Sequence, residues 1–232
     1  AVAGRCAMLN IAGIPVEALP SFELRYYVPK ALLRKALIIA ISNSGATKAT
    51  LEVANFAREM ESNILSVTGV PQSPLGNLSD NTIVTLGERE SGAITRNYVN
   101  QLVILNLLAI KCAILNPKTE EMGRSLENQL RAFHNLARNI LEEKDAKVKD
   151  IANQCYTMNT IFFMGSGPNR ATALEASLKV IEAARIHATA FDMEEVLHGP
   201  RIILGKESAT VIIEPVGQSL HRSDSCCDIQ TC

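Results

Sequence analysis

The chain has no tryptophan, and aromatic residues make up only 4% of its 232 positions. Its core must therefore be built from Ile, Leu, Val and Ala, a composition that suits α/β layers with aliphatic parallel strands. Neither charge is in surplus: 23 Lys and Arg against 24 Asp and Glu leave −1. That balance excludes a strongly electrostatic nucleic-acid binder, which would be basic overall or carry a basic stripe. Long apolar runs are missing too. Residues 36–41 stop at Ser42 and residues 102–110 stop at Lys111, both short of the ~20 that span a bilayer. No basic segment leads into an apolar run near the start, so neither a secretory signal nor a membrane partner is expected.

The six cysteines, at 6, 112, 155, 226, 227 and 232, include no CxxC pair. No disulfide framework is expected, and a reducing cytoplasmic setting is the default. Paired histidines at i, i+4 and cysteine clusters with ligand spacing are absent, as is a GxSxG elbow. Neither a metal nor a cofactor is expected.

What is present is a 47% hydrophobic fraction, ample for one large core or two smaller ones. Residues 36–41 (ALIIAI) are too short for a helix and read as a buried strand. A helix follows over 46–60, with Val53, Ala57 and Met60 on its apolar stripe. Strands are expected at 64–68 and 82–86. Between them, 71–80 reads as a loop or short capped turn. After a polar loop at 87–92, a long helix is expected over 95–115. This alternation argues for a parallel sheet with helices on both faces.

Pro117 ends that helix, and 118–149 reads as a helical connector with Leu126, Leu130, Phe133, Leu136 and Ala137 on one face. The second unit repeats the logic. A strand is expected at 160–164, a helix at 171–184 and a short strand at 187–193. A short helix with a Pro-bearing turn at 194–204 and a strand at 209–216 follow. Strand, Ser/Gly loop and helix thus recur about 120 residues apart, as two related α/β units would give. The start reads as a helix with no strand before it. The segment after Pro215 carries no strand or helix signal, so a fragment or an altered C-terminus is expected.

Four motifs carry chemistry. The first is Ser42-Asn43-Ser44-Gly45-Ala46-Thr47, between a strand and a helix. Hydroxyls and an amide meet the free N–H groups of a helix N-terminus there, which suits a phosphate. No Lys follows the glycine, so it is not a Walker loop. The plainer alternative is an ordinary N-cap. The second motif, Gly165-Ser166-Gly167-Pro168-Asn169-Arg170, holds only part of a dinucleotide fingerprint.

The third is Glu175, Lys179 and Glu182 at i, i+4, i+7, with Leu174, Leu178 and Ile181 on a neighbouring face that must be buried. It reads either as a solvated salt-bridge ladder or as a general base beside a cation. The fourth is His198 in the run Glu194-Glu195-Val196-Leu197-His198-Gly199-Pro200. An unperturbed histidine titrates near about pH 6.5 and can move protons. A capping or surface histidine is the alternative. His134, His187 and His221 are given no role.

Taken in this order, the blocks AGIPVEALPSFELRY, ISNSGATKATLEVANFARE, ESGAITRNYVNQL and ALEASLKVIEAARIHATAFDMEEVLHGPR resemble the sugar isomerase (SIS) domain family over residues 4–215. The resemblance implies an α/β fold of two tandem flavodoxin-like α/β/α units with parallel sheets. The first unit would be 1–117, the connector 118–150, and the second, incomplete unit 151–232. It implies a phosphosugar held by Ser42, Asn43, Ser44 and Thr47. Carried over residue by residue, Glu182 matches the acid–base carboxylate that moves a proton between C1 and C2. His198 matches the ring-opening histidine. Lys179 and Glu175 match the lysine and the assisting carboxylate of the same helix face.

The implied function is an isomerase-type enzyme acting on an amino-sugar or fructosamine phosphate, as isomerase, deaminase, deglycase or part of an aminotransferase. A homo-oligomer is implied, with the histidine reaching across subunits. A non-catalytic phosphosugar-sensing module and an inactive fragment are the alternatives. The family's first glycine- and serine-rich loop and its C-terminal catalytic lysine have no counterpart here.

Overall fold

The computed structural model describes residues 1–86 and 93–214. The polar loop expected at 87–92 and the segment from Pro215 on lie outside them. The described residues divide into two compact units, one built mainly on residues 15–106 and the other on 6–14 and 107–214.

The first unit carries a parallel three-stranded sheet in the order β1 (Leu37–Ile41), β2 (Asn63–Thr68), β3 (Asn81–Val84). Ile38 pairs with Ile64 and Ala40 with Ser66, which puts one set of side chains on one face. Against that face pack α4 (Lys48–Glu59) and the short α5 (Pro74–Leu78). Ala40, Ala54, Ala57, Ile64 and Leu75 are buried together there. The stretch 71–80 is thus the expected capped turn: Ser73 accepts a hydrogen bond from Gly76 N at 3.1 Å, and Pro74 opens the helix. Before β1 come α2 (Ser21–Tyr27) and α3 (Lys30–Leu33).

In the second unit the strand order is β5 (His187–Phe191), β4 (Thr160–Gly165), β6 (Ser208–Ile213), again parallel. The sequence repeat is therefore local. The strand–loop–helix that opens the first unit starts from an edge strand, whereas its counterpart starts from the central one. Ile161 and Phe163 of β4 pack with Ala173 of α8 (Pro168–Ala184). Phe162 and Met164 pack with Met193 and Val196 on the opposite face. The helix expected over 194–204 is instead two 3-10 turns, Glu195–His198 and Pro200–Ile203. Gly199, at φ +148°, breaks it between them.

Helices α1 (Val2–Ala12), α6 (Arg96–Leu115) and α7 (Glu120–Cys155) complete the chain. By length and composition α6 is apolar enough to cross a membrane, with a mean hydropathy of 1.7. Counting unbroken apolar runs missed this, because Asn106 and Lys111 interrupt the run without lowering the mean enough. The helix buries Leu105, Ala109, Ile110 and Ala113 in the fold, and Lys111 pairs with Glu127 of α7 at 2.9 Å. Gly123 lets α7 cross α6 closely: a Cβ there would lie 2.8 Å from Ile114 Cγ1 and 3.0 Å from Ile114 N.

Candidate functional site

The serine loop sits where β1 ends and α4 begins, at the carboxyl end of the sheet, the edge at which ligands bind in open α/β sheets. Gly45 has φ +60°, and a Cβ on it would lie 2.2 Å from Ser73 Oγ and 2.8 Å from Thr68 Oγ1. Only glycine fits this turn. The Gly45 carbonyl accepts from Leu75 N at 2.9 Å, and the Asn43 carbonyl accepts from Gly69 N at 2.9 Å and from Thr68 Oγ1 at 3.3 Å. The loops after β1 and β2 are thus bolted together. Sequence reasoning missed Thr68 and Ser73; the only signal was their place among glycines and prolines after an apolar run.

Within the loop, Ser42 is buried and its Oγ accepts from Gly45 N at 3.2 Å. It also lies 2.9 Å from Thr47 Oγ1. Ser44 Oγ accepts from Ala46 N at 3.2 Å and is exposed. Thr47 is the N-cap residue of α4, yet its side chain makes no capping bond. The plain N-cap alternative therefore fails at Thr47, whose hydroxyl turns toward Ser42. Buried polar atoms without a partner lie at this edge: Asn43 Oδ1 in the loop after β1 and Thr85 Oγ1 just after β3.

In the second unit, Lys179 Nζ lies 2.6 Å from Glu182 Oε2 and 3.3 Å from Glu175 Oε1. The three side chains are 19%, 37% and 23% exposed respectively, so this is not a fully solvated ladder. Partial burial works against the Lys179 ammonium. Its hydrogen bond to Glu182 and the charge of Glu175 outweigh that and hold its pKa above the ordinary lysine value.

The neighbouring leucine face is a correction. Leu174, Leu178 and Ile181 are 43%, 44% and 45% exposed. The stripe that packs on the sheet is Ala173, Ala176, Ser177 and Val180, at i, i+3, i+4, i+7. Small residues bring α8 close to the strands, and the larger leucines are left outside.

The second glycine loop is used structurally. Gly167, with φ +57°, caps α8, and Pro168 at its first position starts the helix three residues earlier than expected. Ser166 Oγ accepts from Met193 N at 3.3 Å and lies 3.4 Å from Asp192 Oδ1.

His198 ends the first 3-10 turn, is 69% exposed and lies 4.0 Å from Glu194. That turn covers the face of β4 opposite to α8. Within one copy of this unit, the histidine and the α8 triplet therefore stand on opposite sides of the sheet. A cavity of 440 Å³ on the histidine's side, lined by Thr160, Phe162, His187 and Lys206 among others, contains none of the expected site residues. Among the described residues no group of His, Cys, Asp and Glu could hold a metal ion.

Comparison with known proteins gives the arrangement its context. Residues 1–111 match the SIS domain family. The chain is 32% identical over 207 residues to the isomerizing glutamine–fructose-6-phosphate aminotransferase of Thermotoga maritima, covering 89% of this chain and 34% of that protein. The C-terminal domain of glucosamine-fructose-6-phosphate aminotransferase from Francisella tularensis superposes with a TM-score of 0.90 at 24% identity, over 98% of this chain and 65% of that one. Glucosamine-6-phosphate deaminase from Thermotoga maritima shares the fold with a TM-score of 0.74 at 20% identity, over 98% and 68%. The chain thus spans about a third of the curated relatives it matches. It carries a SIS domain over residues 1–111 and is homologous to the isomerizing glutamine–fructose-6-phosphate aminotransferases.

Proposed function

We propose that this chain binds a phosphosugar and belongs to an isomerase-type enzyme acting on an amino-sugar or fructosamine phosphate. The observation that carries the reading is the α4 N-terminus. It lacks a side-chain cap, opens at the carboxyl end of β1 and is surrounded by the hydroxyls of Ser42, Ser44 and Thr47. Free N–H groups and the helix dipole favour an anion there. Asn43, with an unpartnered Oδ1, adds a further polar group. Held by its phosphate, the sugar gains binding energy remote from the reacting carbons.

Glu182 would carry the proton between C1 and C2. Lys179, kept cationic by Glu182 and Glu175, would stabilise the negative charge that develops on the sugar oxygen. His198 would assist ring opening. Since it lies across the sheet from Glu182, it would serve a site other than that of its own α8, in a homo-oligomer. The named activities of the relatives support this chemistry. A second reading, binding without turnover, is favoured by that same separation in a single copy. The division into 1–117, a connector 118–150 and 151–232 belongs to this proposal, supported by the two separate sheets. So does a cytoplasmic setting, which fits the free thiols of Cys6, Cys112 and Cys155.

The test is a calorimetric titration of the native chain and a Ser44→Ala, Thr47→Ala double variant. The ligands are glucosamine 6-phosphate, fructose 6-phosphate and the unphosphorylated sugars. The native chain should bind the phosphorylated sugars far better, and the double variant should lose about tenfold or more of that preference. Equal binding of phosphorylated and plain sugars by the native chain overturns the reading.

A further inference from the structure

The second sheet carries a cavity that the proposed sugar chemistry does not use. Its volume is 440 Å³, within the range of roughly 300–1,000 Å³ typical of small-molecule sites. It opens at the amino end of the strands. Thr160, His187 and Ser208, the first residues of β4, β5 and β6, pair in register, and all three line it. The serine loop, by contrast, lies at the carboxyl end of its own sheet. The cavity is therefore not the second unit's copy of that loop.

Its origin is local. Leu204 still packs against the cluster of Phe162 and Met164. The next residue, Gly205, has no side chain, and a Cβ on it would meet nothing within 4 Å. The turn into β6 thus leaves the space beside Thr160 and Thr189 open.

Floor and rim differ in chemistry. Phe162 is buried, its ring stacked on Phe191 with centroids 6.0 Å apart, and with Ile203 it gives the cavity an apolar surface. Lys206 and His187 are exposed and bring N–H donors to the rim. Among the described residues no carboxylate pairs with either of them. The rim's own carboxylate, Glu207, accepts from Asn159 Nδ2 at 3.1 Å. One fixed cation beside one carboxylate suits a ligand with a single negative charge. A dianion such as a phosphate monoester would bring its second charge against Glu207.

The geometry points to a second ligand site at the amino end of the second sheet, for a small organic monocarboxylate with an apolar body. The carboxylate accepts from Lys206 and His187, and the body lies on Phe162 and Ile203. The site uses neither the serine loop nor the α8 triplet, so it stands or falls apart from the phosphosugar reading.

The experiment is a calorimetric titration of the chain with naphthoate, with uncharged naphthylmethanol and with naphthyl phosphate. The native chain should bind naphthoate with a dissociation constant of ~1 mM or below, and the other two probes ~10-fold more weakly. Lys206→Met should weaken naphthoate ~10-fold and leave naphthylmethanol unchanged. Thr189→Phe, which fills the cavity, should abolish binding of both. Circular dichroism checks that each variant keeps its fold, and exposed Lys206 keeps the test valid if Thr189→Phe does not. The Ser44→Ala, Thr47→Ala variant should bind naphthoate as the native chain does; a loss there would place the probe in the serine loop and overturn the inference. Naphthoate bound no better than naphthylmethanol or naphthyl phosphate, or indifferent to Lys206→Met, would overturn it as well.

Discussion

Ser42 and Thr47 join the end of β1 to the start of α4 through hydroxyl oxygens 2.9 Å apart. Ser42 is the buried partner and also receives Gly45 N. Ser42→Ala should cost about 1–2 kcal/mol, the scale of a lost buried hydrogen bond with its partners left behind. Urea unfolding measures it, and a change under ~0.5 kcal/mol would show that the loop holds its shape without this contact.

Gly45→Ala should be more costly. The residue sits at φ +60°, and the new methyl would meet Ser73 Oγ at 2.2 Å and Thr68 Oγ1 at 2.8 Å. Backbone strain and overpacking each contribute about 1–3 kcal/mol. A loss of at least ~2 kcal/mol is expected by denaturant unfolding. Unchanged stability would mean that the turn relaxes easily.

Gly123→Ala sets two effects against each other. Alanine gains about 0.5–1 kcal/mol in a helix interior. Its methyl would press on Ile114 at 2.8 and 3.0 Å, the second contact being backbone that cannot rotate away. Overpacking, about 1–3 kcal/mol, should win. The melting temperature should fall; a rise would show that α6 and α7 can move apart.

Lys179 makes a pH prediction. Its folded pKa is raised above the ordinary 10.5, after the charge and hydrogen bonds of Glu182 and Glu175 overcome partial burial. A raised lysine contributes stability in full below its unfolded pKa and loses it as pH climbs through the folded one. The stability difference between the native chain and Lys179→Met should therefore be flat from pH 6 to 9 and shrink only above about pH 10.5. A difference that changes between pH 7 and 9 would contradict a permanently charged Lys179.

Glu182→Gln keeps shape and removes the base. Where turnover of an aminosugar phosphate is measured, it should fall ~10²–10⁴-fold with binding largely kept. Exchange of the C2 proton with solvent should fall with it. Persistent exchange would move the role to Glu175.

Much of this was legible in the sequence. All six strands among the described residues fall within a few residues of their expected places: five are apolar runs closed by Gly, Pro or Ser, and β5 is a short run that ends at Asp192. The serine loop announced itself by its position. The buried face of α8 did not. Leu174, Leu178 and Ile181 look like a core stripe, but the helix seats Ala173, Ala176 and Ser177 against the sheet, and periodicity cannot weigh size against closeness of approach. Nor could spacing reveal that His198 and Glu182 flank opposite faces of β4. That depends on strand order, which alternation along the chain leaves open.

Strand β4 has a cost before the fold exists. Ile161, Phe162, Phe163 and Met164 are consecutive and all buried, and no charge separates them. In a growing chain, β5 and β6 emerge later, β6 ending only at Ile213. At ~5–20 residues per second, several seconds pass before both edges of β4 can be paired. During that interval the segment is an uncharged, aromatic, strand-forming stretch of the kind that joins neighbouring chains. Slower synthesis at low temperature gives the helix α8 time to cover one face, but the other face waits for Met193 and Val196 whatever the rate.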